Sequence, residues 1–266
     1  MRPFIASLRT GWSRAGAGNA GIIAAGVAYY GFLAMVPLLA AAIMTYGLVV
    51  DPQTIAAHGQ TLARTLPGGA GDLVSDQLSS IAERRSGTSG LGLAAAIALS
   101  LFGARVAAGA LITALNMAFD APESRGFVKA NLLALAITCA AVIALGLVAG
   151  VTTLVSTVLA GVGGGAFASF AVVGLAGLGG ALLAYRIVPN VHAIDRHAAL
   201  RGAILFASGW MIASAGFGLY ASNFGNYDAT YGSLGAVVVF LTWLWLSAWL
   251  LLIGAHIAAA SIGRPG

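Results

Sequence analysis

Long stretches without Asp, Glu, Lys or Arg alternate with short polar segments along this chain. A helix that crosses a bilayer needs about 20 consecutive, mostly apolar residues. These stretches are apolar throughout and lack the alternation of polar and apolar residues typical of barrel strands, so they predict membrane-spanning helices. The uncharged stretches are 15–50, 86–104, 130–185, 202–227 and 229–263.

The third stretch is too long for a single crossing. Gly161, Gly163, Gly164 and Gly165 interrupt it where a tight turn fits, so it divides into two helices. The sequence therefore predicts an all-α fold, a polytopic membrane helix bundle with six crossings in a single membrane domain, 1–266. The predicted crossings are 20–49, 88–119, 127–160, 166–187, 199–223 and 231–261.

Two further regions have the pattern of short amphipathic helices. Segment 1–18 places apolar residues at helical spacing opposite two arginines, which predicts a helix lying in the membrane interface. In the outer loop, 51–86, Asp72 can cap a helix with one apolar face, and we expect short helices on the outer surface. The residues of the first pattern are Phe4, Ile5, Leu8 and Trp12 opposite Arg2 and Arg9.

Composition places the chain outside the soluble class. It has 59% hydrophobic and 8% charged residues, whereas soluble domains have about 25% charged residues. The single cysteine, Cys139, excludes an intramolecular disulfide and says little about the redox compartment. The lipid bilayer is therefore the expected surrounding of most of the chain.

The positions of Lys and Arg in the loops predict the orientation, because such residues are enriched on the cytoplasmic side. Six crossings leave only Arg64, Arg84 and Arg85 on the outer side. Both termini are therefore expected in the cytoplasm, with the protein in a plasma membrane. Cationic loops there attract anionic lipids, by about 1 kcal/mol for each Lys or Arg. The net charge of +5 then requires no nucleic-acid partner.

Arg105 is the one formal charge well inside an apolar stretch, and charges within a membrane are functional candidates because they are costly there. At 100° per residue, Asn116 and Asp120 lie about 20° and 60° around the helix from it. One hypothesis is a polar stripe of these three residues that faces the bundle interior. The alternative is that Arg105 extends its long side chain to the inner headgroups.

Tyr30 and Pro37 lie in the middle of the first predicted crossing. A proline there removes a backbone hydrogen bond and bends a helix. The bend either lines a cavity or only shapes the helix, and shape is the simpler interpretation. His256, near the inner end of the last crossing, is interpreted as a core or interfacial histidine rather than a proton relay.

The sequence contains few residues arranged in patterns typical of an enzyme active site. No nucleophile elbow, phosphate-binding loop or dinucleotide fingerprint is present. His192 and His197 flank Asp195, but they lack the spacing and the further ligands of a zinc site. We expect no catalytic residues, no metal and no cofactor, and hence no enzyme.

Small residues recur in the predicted helices, including Gly146 with Gly150 and a cluster from Gly174 to Gly180. Glycines spaced in this way let helices approach closely. They either pack the bundle internally, the favoured interpretation, or form a face between copies. The sequence leaves a homo-oligomer open.

Four stretches together resemble the YihY/virulence factor BrkB family. The resemblance implies a six-helix bacterial inner-membrane protein with cytoplasmic termini, in agreement with the topology derived from the loops. Some members have carried a ribonuclease label, which no residues here support. The stretches are AYYGFLAMVPLL (28–39), ALITALNMAFD (110–120), YRIVPN (185–190) and YGSLGAVVVFLTWLWLSAWLLLIGA (231–255).

Individual positions both follow and depart from the family pattern. Ala34 and Val36 stand where the family often has serine and phenylalanine, and His256 stands where it usually has glutamate. A mechanism that needs that carboxylate, such as proton coupling, is therefore in doubt for this chain. The matching positions are Tyr30, Pro37, Arg105, Asn116 and Pro189.

Two functions are expected on these grounds. The first is a permease-like or lipid-handling component of the envelope, in which Arg105, Asn116 and Tyr30 would line a cavity. The second is a membrane scaffold that transports nothing and binds partner proteins or anionic lipids through its small-residue faces and basic loops.

Overall fold

The computed structural model describes residues 4–49, 90–159, 164–191, 194–223 and 233–262. In these ranges the fold is all-α, without a strand, which confirms the predicted fold class. The short helices expected in 51–86 lie outside the described residues, as do Gly161 and His192. The helices are α1 Phe4–Ala17, α2 Ala20–Val49, α3 Gly90–Ala118, α4 Phe127–Val158, α5 Gly165–Ile187, α6 Arg196–Asn223 and α7 Ser233–Ser261.

The ends of two helices are set by residues that tolerate a left-handed backbone. Asn19 has φ 53° between α1 and α2, and Asp120 has φ 50° just after α3. Asn and Asp adopt this conformation more readily than most other residues with a side chain. The chain turns sharply at Asn19, where α1 and α2 meet with a bend of 69°. We call this turn the elbow.

Several described helices are long and apolar enough to cross a membrane. The chain is therefore an integral membrane protein, with four such helices, or five if α1 and the start of α2 count together as one bent span. In the most apolar window of α4 only 6% of the residues are buried inside the protein, so this helix offers its apolar surface to lipid. The four helices are Phe127–Val158, Gly165–Ile187, Arg196–Tyr220 and Val237–Ser261.

The helix α3 is 29 residues long, Gly90–Ala118, and its apolar run that lies entirely within described side chains is Phe102–Ala118, which alone is shorter than a full crossing. The six crossings expected from the sequence therefore stay a prediction, although each described helix begins and ends within about one turn of a predicted segment.

The described residues group into two compact units. The first consists of 1–27, 108–212 and 246–266, and its centre is the last part of α7. Residues 252–260 are buried one after another, on every face of the helix. A helix that is buried all round is surrounded by protein rather than by lipid on one side. The inner end of α7 is thus the core of this unit.

Glycines bring neighbouring helices into backbone contact with α7. A Cβ on Gly254 of α7 would lie 2.7 Å from the carbonyl oxygen of Gly202 in α6 and would also overlap the hydroxyl of Tyr185. That hydroxyl is buried in α5 and donates a 2.7 Å hydrogen bond to the carbonyl of Leu251. Helices α5, α6 and α7 can therefore pack this closely because the contact positions carry no side chain.

The helix α1 packs on α7 through its small residues. Ser7, Gly11 and Ala15 are buried, and a Cβ on Gly11 would overlap Ile257. The predicted apolar face points elsewhere, since Ile5 and Trp12 are 79% and 59% exposed. Exposed apolar side chains on a helix beside the bundle suit contact with lipid.

The second unit consists of 28–107 and 213–245. Its described part contains aromatic contacts between α2 and α7, with the rings of Phe32 and Phe240 at 6.2 Å between centroids. Phe240 also stacks on Trp243 at 6.2 Å. Aromatic rings at these separations contribute more than their buried area alone.

Candidate functional site

A cluster of polar residues joins the end of α3 to the segment that follows α5. We call it the polar knot; its centre is Asn116, which is buried in the last turn of α3. The Asn116 amide nitrogen donates to Glu123 at 2.8 Å, and its oxygen accepts from the backbone N–H of Asn190 at 2.7 Å. One buried side chain therefore ties together two loops that are far apart in sequence.

Asn190 continues the knot from the other side. Its amide nitrogen donates to the carbonyl of Pro122 at 2.8 Å and to the hydroxyl of Ser124 at 2.7 Å. Arg125 donates to the carbonyl of Val188 at 2.6 Å and to the side-chain oxygen of Asn190 at 3.3 Å. These bonds satisfy backbone groups at the ends of α3 and α5 that have no partner within their own helices.

An ion pair between Arg14 and Asp120 connects α1 to the end of α3. The Asp120 side chain is 62% exposed, so the pair contributes modestly, as surface ion pairs do. The geometry nevertheless fixes the direction in which Arg14 points. Its guanidinium is held beside Asp120 at the end of α3.

The hydrogen bonds described for the knot run between residues of the chain itself. Asn116 and Asp120, which the sequence singled out, both bond within the first unit. Arg105 belongs to the second unit and is exposed on α3. Of the predicted polar stripe, Asn116 thus lies in the knot, whereas Asp120 pairs with Arg14 of α1.

The remaining candidates lie in different surroundings. Tyr30 is 41% exposed and meets Tyr29 edge to face, with centroids 5.5 Å apart. The helix α2 continues through Pro37, whose side chain lies outside the described part. His256 is 7% exposed, and its Nδ1 has no hydrogen-bond partner among the described residues. It is therefore a core residue, close to the backbone of Gly18 at the elbow.

Sequence reasoning missed four side chains of the knot, namely those of Glu123, Ser124, Arg125 and Asn190. Polar residues are ordinary in loops, so nothing in their positions distinguishes them. Asn116 was found because it interrupts an apolar stretch. The proline-flanked pattern of residues 121–126 and the YRIVPN stretch were the signals that could have indicated two loops shaped to fit each other.

The first unit also contains a groove at the elbow, which we call the elbow groove. Its volume is about 350 Å³, and it is open to the surroundings of the protein. Three segments form it, from α1, the start of α2 and α7. The rings of Trp12 and Trp249 meet edge to face within it at 5.9 Å. Its main lining residues are Trp12, Gly16, Asn19, Ile22, Trp249 and Ile253.

A second concavity lies on one face of α6. Its volume is about 380 Å³, and it is lined by His197, Leu200, Arg201 and Ile204. A single helix supplies all of these residues, whereas three segments of the chain form the elbow groove. Within the described ranges, no three His, Cys, Asp or Glu side chains gather in a way that could hold a metal ion.

The sequence of the chain matches a known protein family. The family model described as virulence factor BrkB matches residues 12–264. The chain belongs to the BrkB family. The resemblance found in the four sequence stretches is thereby confirmed, and the BrkB match includes both the polar knot and the elbow groove. No curated protein and no solved structure matches the chain.

Proposed function

We propose that this BrkB-family protein is a lipid-handling component of the bacterial inner membrane, with both termini in the cytoplasm and no enzymatic site. The elbow groove is the observation that carries this proposal. It is apolar, large enough for part of a small molecule, and open at the side of the first unit. A groove of this kind suits a lipid chain better than a polar solute.

The polar knot also supports this proposal, because its hydrogen bonds disfavour a pathway for polar solutes. A pathway for polar solutes needs donors and acceptors that are available to the substrate. Asn116 and Asn190 instead direct their hydrogen-bonding groups at each other and at the neighbouring loops. These amides therefore rigidify the first unit rather than offering a route for ions or sugars.

A membrane scaffold is the second candidate, and one observation favours it. A Cβ added to Gly146 or Gly150 of α4 would meet nothing within 4 Å among the described residues. The small-residue face of α4 is thus open to another helix, as expected for association within a membrane. In this alternative, α4 would bind a partner protein or a second copy of the chain.

Lipid analysis of cells tests the proposal. Phospholipid classes are measured by mass spectrometry in separated inner and outer membranes, with and without the protein. We expect a changed class ratio or distribution in cells that lack it, because a lipid-handling protein alters where lipids reside.

Two variants make the result specific to the groove. Gly16→Leu fills the elbow groove, and Gly26→Leu adds the same side chain to α2 outside it; an added Cβ meets nothing within 4 Å at either position. Wild type and Gly26→Leu should restore the lipid profile, whereas Gly16→Leu should not. An unchanged profile in cells without the protein would contradict lipid handling and favour the scaffold.

A further inference from the structure

We infer that the elbow groove seats one acyl chain of an anionic phospholipid, whose headgroup lies at Arg9. This inference rests on the proposed function and deepens it, since it names the lipid class and the residues that select it. Three features of the groove support it: its shape, its depth in the membrane and the charge beside it.

The shape of the groove suits an extended apolar chain. Its walls are the indole rings of Trp12 and Trp249 and the aliphatic side chains of Ile22 and Ile253, and Gly16 leaves an open edge. Lipid tails are as apolar as these walls, so burial from water does not distinguish one lipid from another. Selectivity must therefore come from the headgroup.

The depth of the groove is indicated by the elbow itself. The 69° bend at Asn19 turns α1 away from the direction of α2, and α1 carries exposed apolar residues together with arginines. Such a helix lies at the level of the headgroups. Tryptophan is enriched at this same level. An acyl chain in the groove would thus have its headgroup beside α1.

Two arginines of α1 have different surroundings. At 100° per residue, Arg9 lies about 60° around the helix from Trp12, not opposite it as the sequence pattern suggested, and about 20° from Gly16, on the groove side. Arg14 lies about 160° from Trp12 and is engaged by Asp120. Arg9 is exposed and forms no ion pair with any described residue. It is therefore the cation that the groove side of α1 offers to a headgroup.

The described residues that line the groove carry no charge that would oppose an anionic headgroup. No acidic side chain lines it, and its one polar, uncharged lining residue is Asn19, whose amide can donate to a phosphate oxygen. An arginine, an amide donor and an apolar groove are complementary to a phospholipid with net negative charge. A zwitterionic lipid would bring its own cation next to Arg9 and gain less.

Brominated lipids provide the test, because bromine atoms on an acyl chain quench tryptophan fluorescence on contact. Full-length protein is reconstituted in phosphatidylcholine vesicles that contain a small fraction of either brominated phosphatidylglycerol or brominated phosphatidylcholine. The difference in quenching between wild type and Trp12→Phe isolates the signal of Trp12. We expect the anionic lipid to quench Trp12 at about fivefold lower mole fraction, the preference that one cation near the headgroups provides.

Three variants separate the groove from general lipid contact. Arg9→Gln should reduce the preference for phosphatidylglycerol to near one while leaving the quenching itself. Gly16→Leu should abolish the preferential quenching, and the matched Gly26→Leu should have no effect. Arg9 is exposed, so its replacement by glutamine tests the inference even if Gly16→Leu does not fold.

Equal quenching by the two lipids, or a preference that survives Arg9→Gln, would overturn the inference and assign the contact to ordinary boundary lipid. Absence of Trp12 quenching by both lipids would also overturn the inference, because a second copy of the chain would then occupy the groove and shield Trp12. The vesicle experiment measures lipid contact at Trp12 and does not depend on where lipids reside in cells. The inferred lipid site can therefore be disproved while the cellular lipid profile still depends on the protein. Conversely, the site can be confirmed while the cellular lipid profile does not change without the protein.

Discussion

Single polar residues in this protein act by joining chain segments. Asn116 is the clearest case, since its amide accepts a bond from one loop and donates a bond to another. Removing one partner from a buried hydrogen bond leaves the other unsatisfied, and that penalty exceeds the net gain from forming the bond. The polar residue that looked most like a functional candidate therefore has a measurable structural role.

Asn116→Leu should destabilise the protein by about 1–3 kcal/mol, because the backbone N–H of Asn190 loses its acceptor in a partly buried position. Thermal unfolding in detergent measures the effect. Met117→Leu provides the control, since the neighbouring Met117 is 54% exposed and a Met-to-Leu change conserves volume. If the Asn116→Leu protein were as stable as the control, the hydrogen bonds of the knot would not be among the contacts that hold α3 to the segment after α5.

At the scale of whole helices, α7 organises the first unit. Its inner part is buried on every side, and glycine at the contact with α6 allows the two backbones to approach. Close helix contacts in membranes depend on small residues because lipid tails provide no hydrophobic drive for association. The glycines that allow close packing are those that face another helix. A glycine in a recurrent sequence pattern need not do so.

Replacing Gly254 by alanine should cost about 1–3 kcal/mol, because the new methyl group overlaps the Gly202 carbonyl and the Tyr185 hydroxyl. Gly109→Ala is the matched control in α3, where an added Cβ meets nothing within 4 Å. The control should be neutral or stabilise by about 0.5–1 kcal/mol, since alanine is the better helix former. Equal unfolding temperatures for the two variants would contradict close packing at Gly254.

At the scale of the whole molecule, the proposed topology places both termini and the loops near residues 121–129 and 186–201 in the cytoplasm. The distribution of Lys and Arg supports this topology, because it orients membrane proteins during insertion. The BrkB family model matches residues 12–264, almost the whole chain.

Cysteine labelling tests this topology. The exposed Cys139 is first replaced by serine, and single cysteines are then introduced as Ser75→Cys in the outer loop and Asp195→Cys before α6. A membrane-impermeant maleimide should label Ser75→Cys in intact cells and Asp195→Cys only after the cells are opened. Labelling of Asp195→Cys in intact cells would invert the proposed orientation.

The sequence by itself determined the class of the protein and the approximate positions of its helices. Apolar stretches about as long as a bilayer is thick leave the backbone no alternative to the helix, because its polar groups must be bonded within the segment. The same reasoning identified the break between α4 and α5. Four short stretches were enough to indicate the BrkB family, which the family model then confirmed.

Only the tertiary structure decided which polar residues meet and where the surface is concave. Residues 116, 123, 125 and 190 come together because the ends of α3 and α5 are adjacent in space, and helical periodicity carries no information about such neighbours. The elbow groove likewise depends on the left-handed turn at Asn19 and on the position of Trp249 beside Trp12. Long-range contacts of this kind follow from packing, whereas the helices themselves follow from the local fit between an apolar chain and a bilayer.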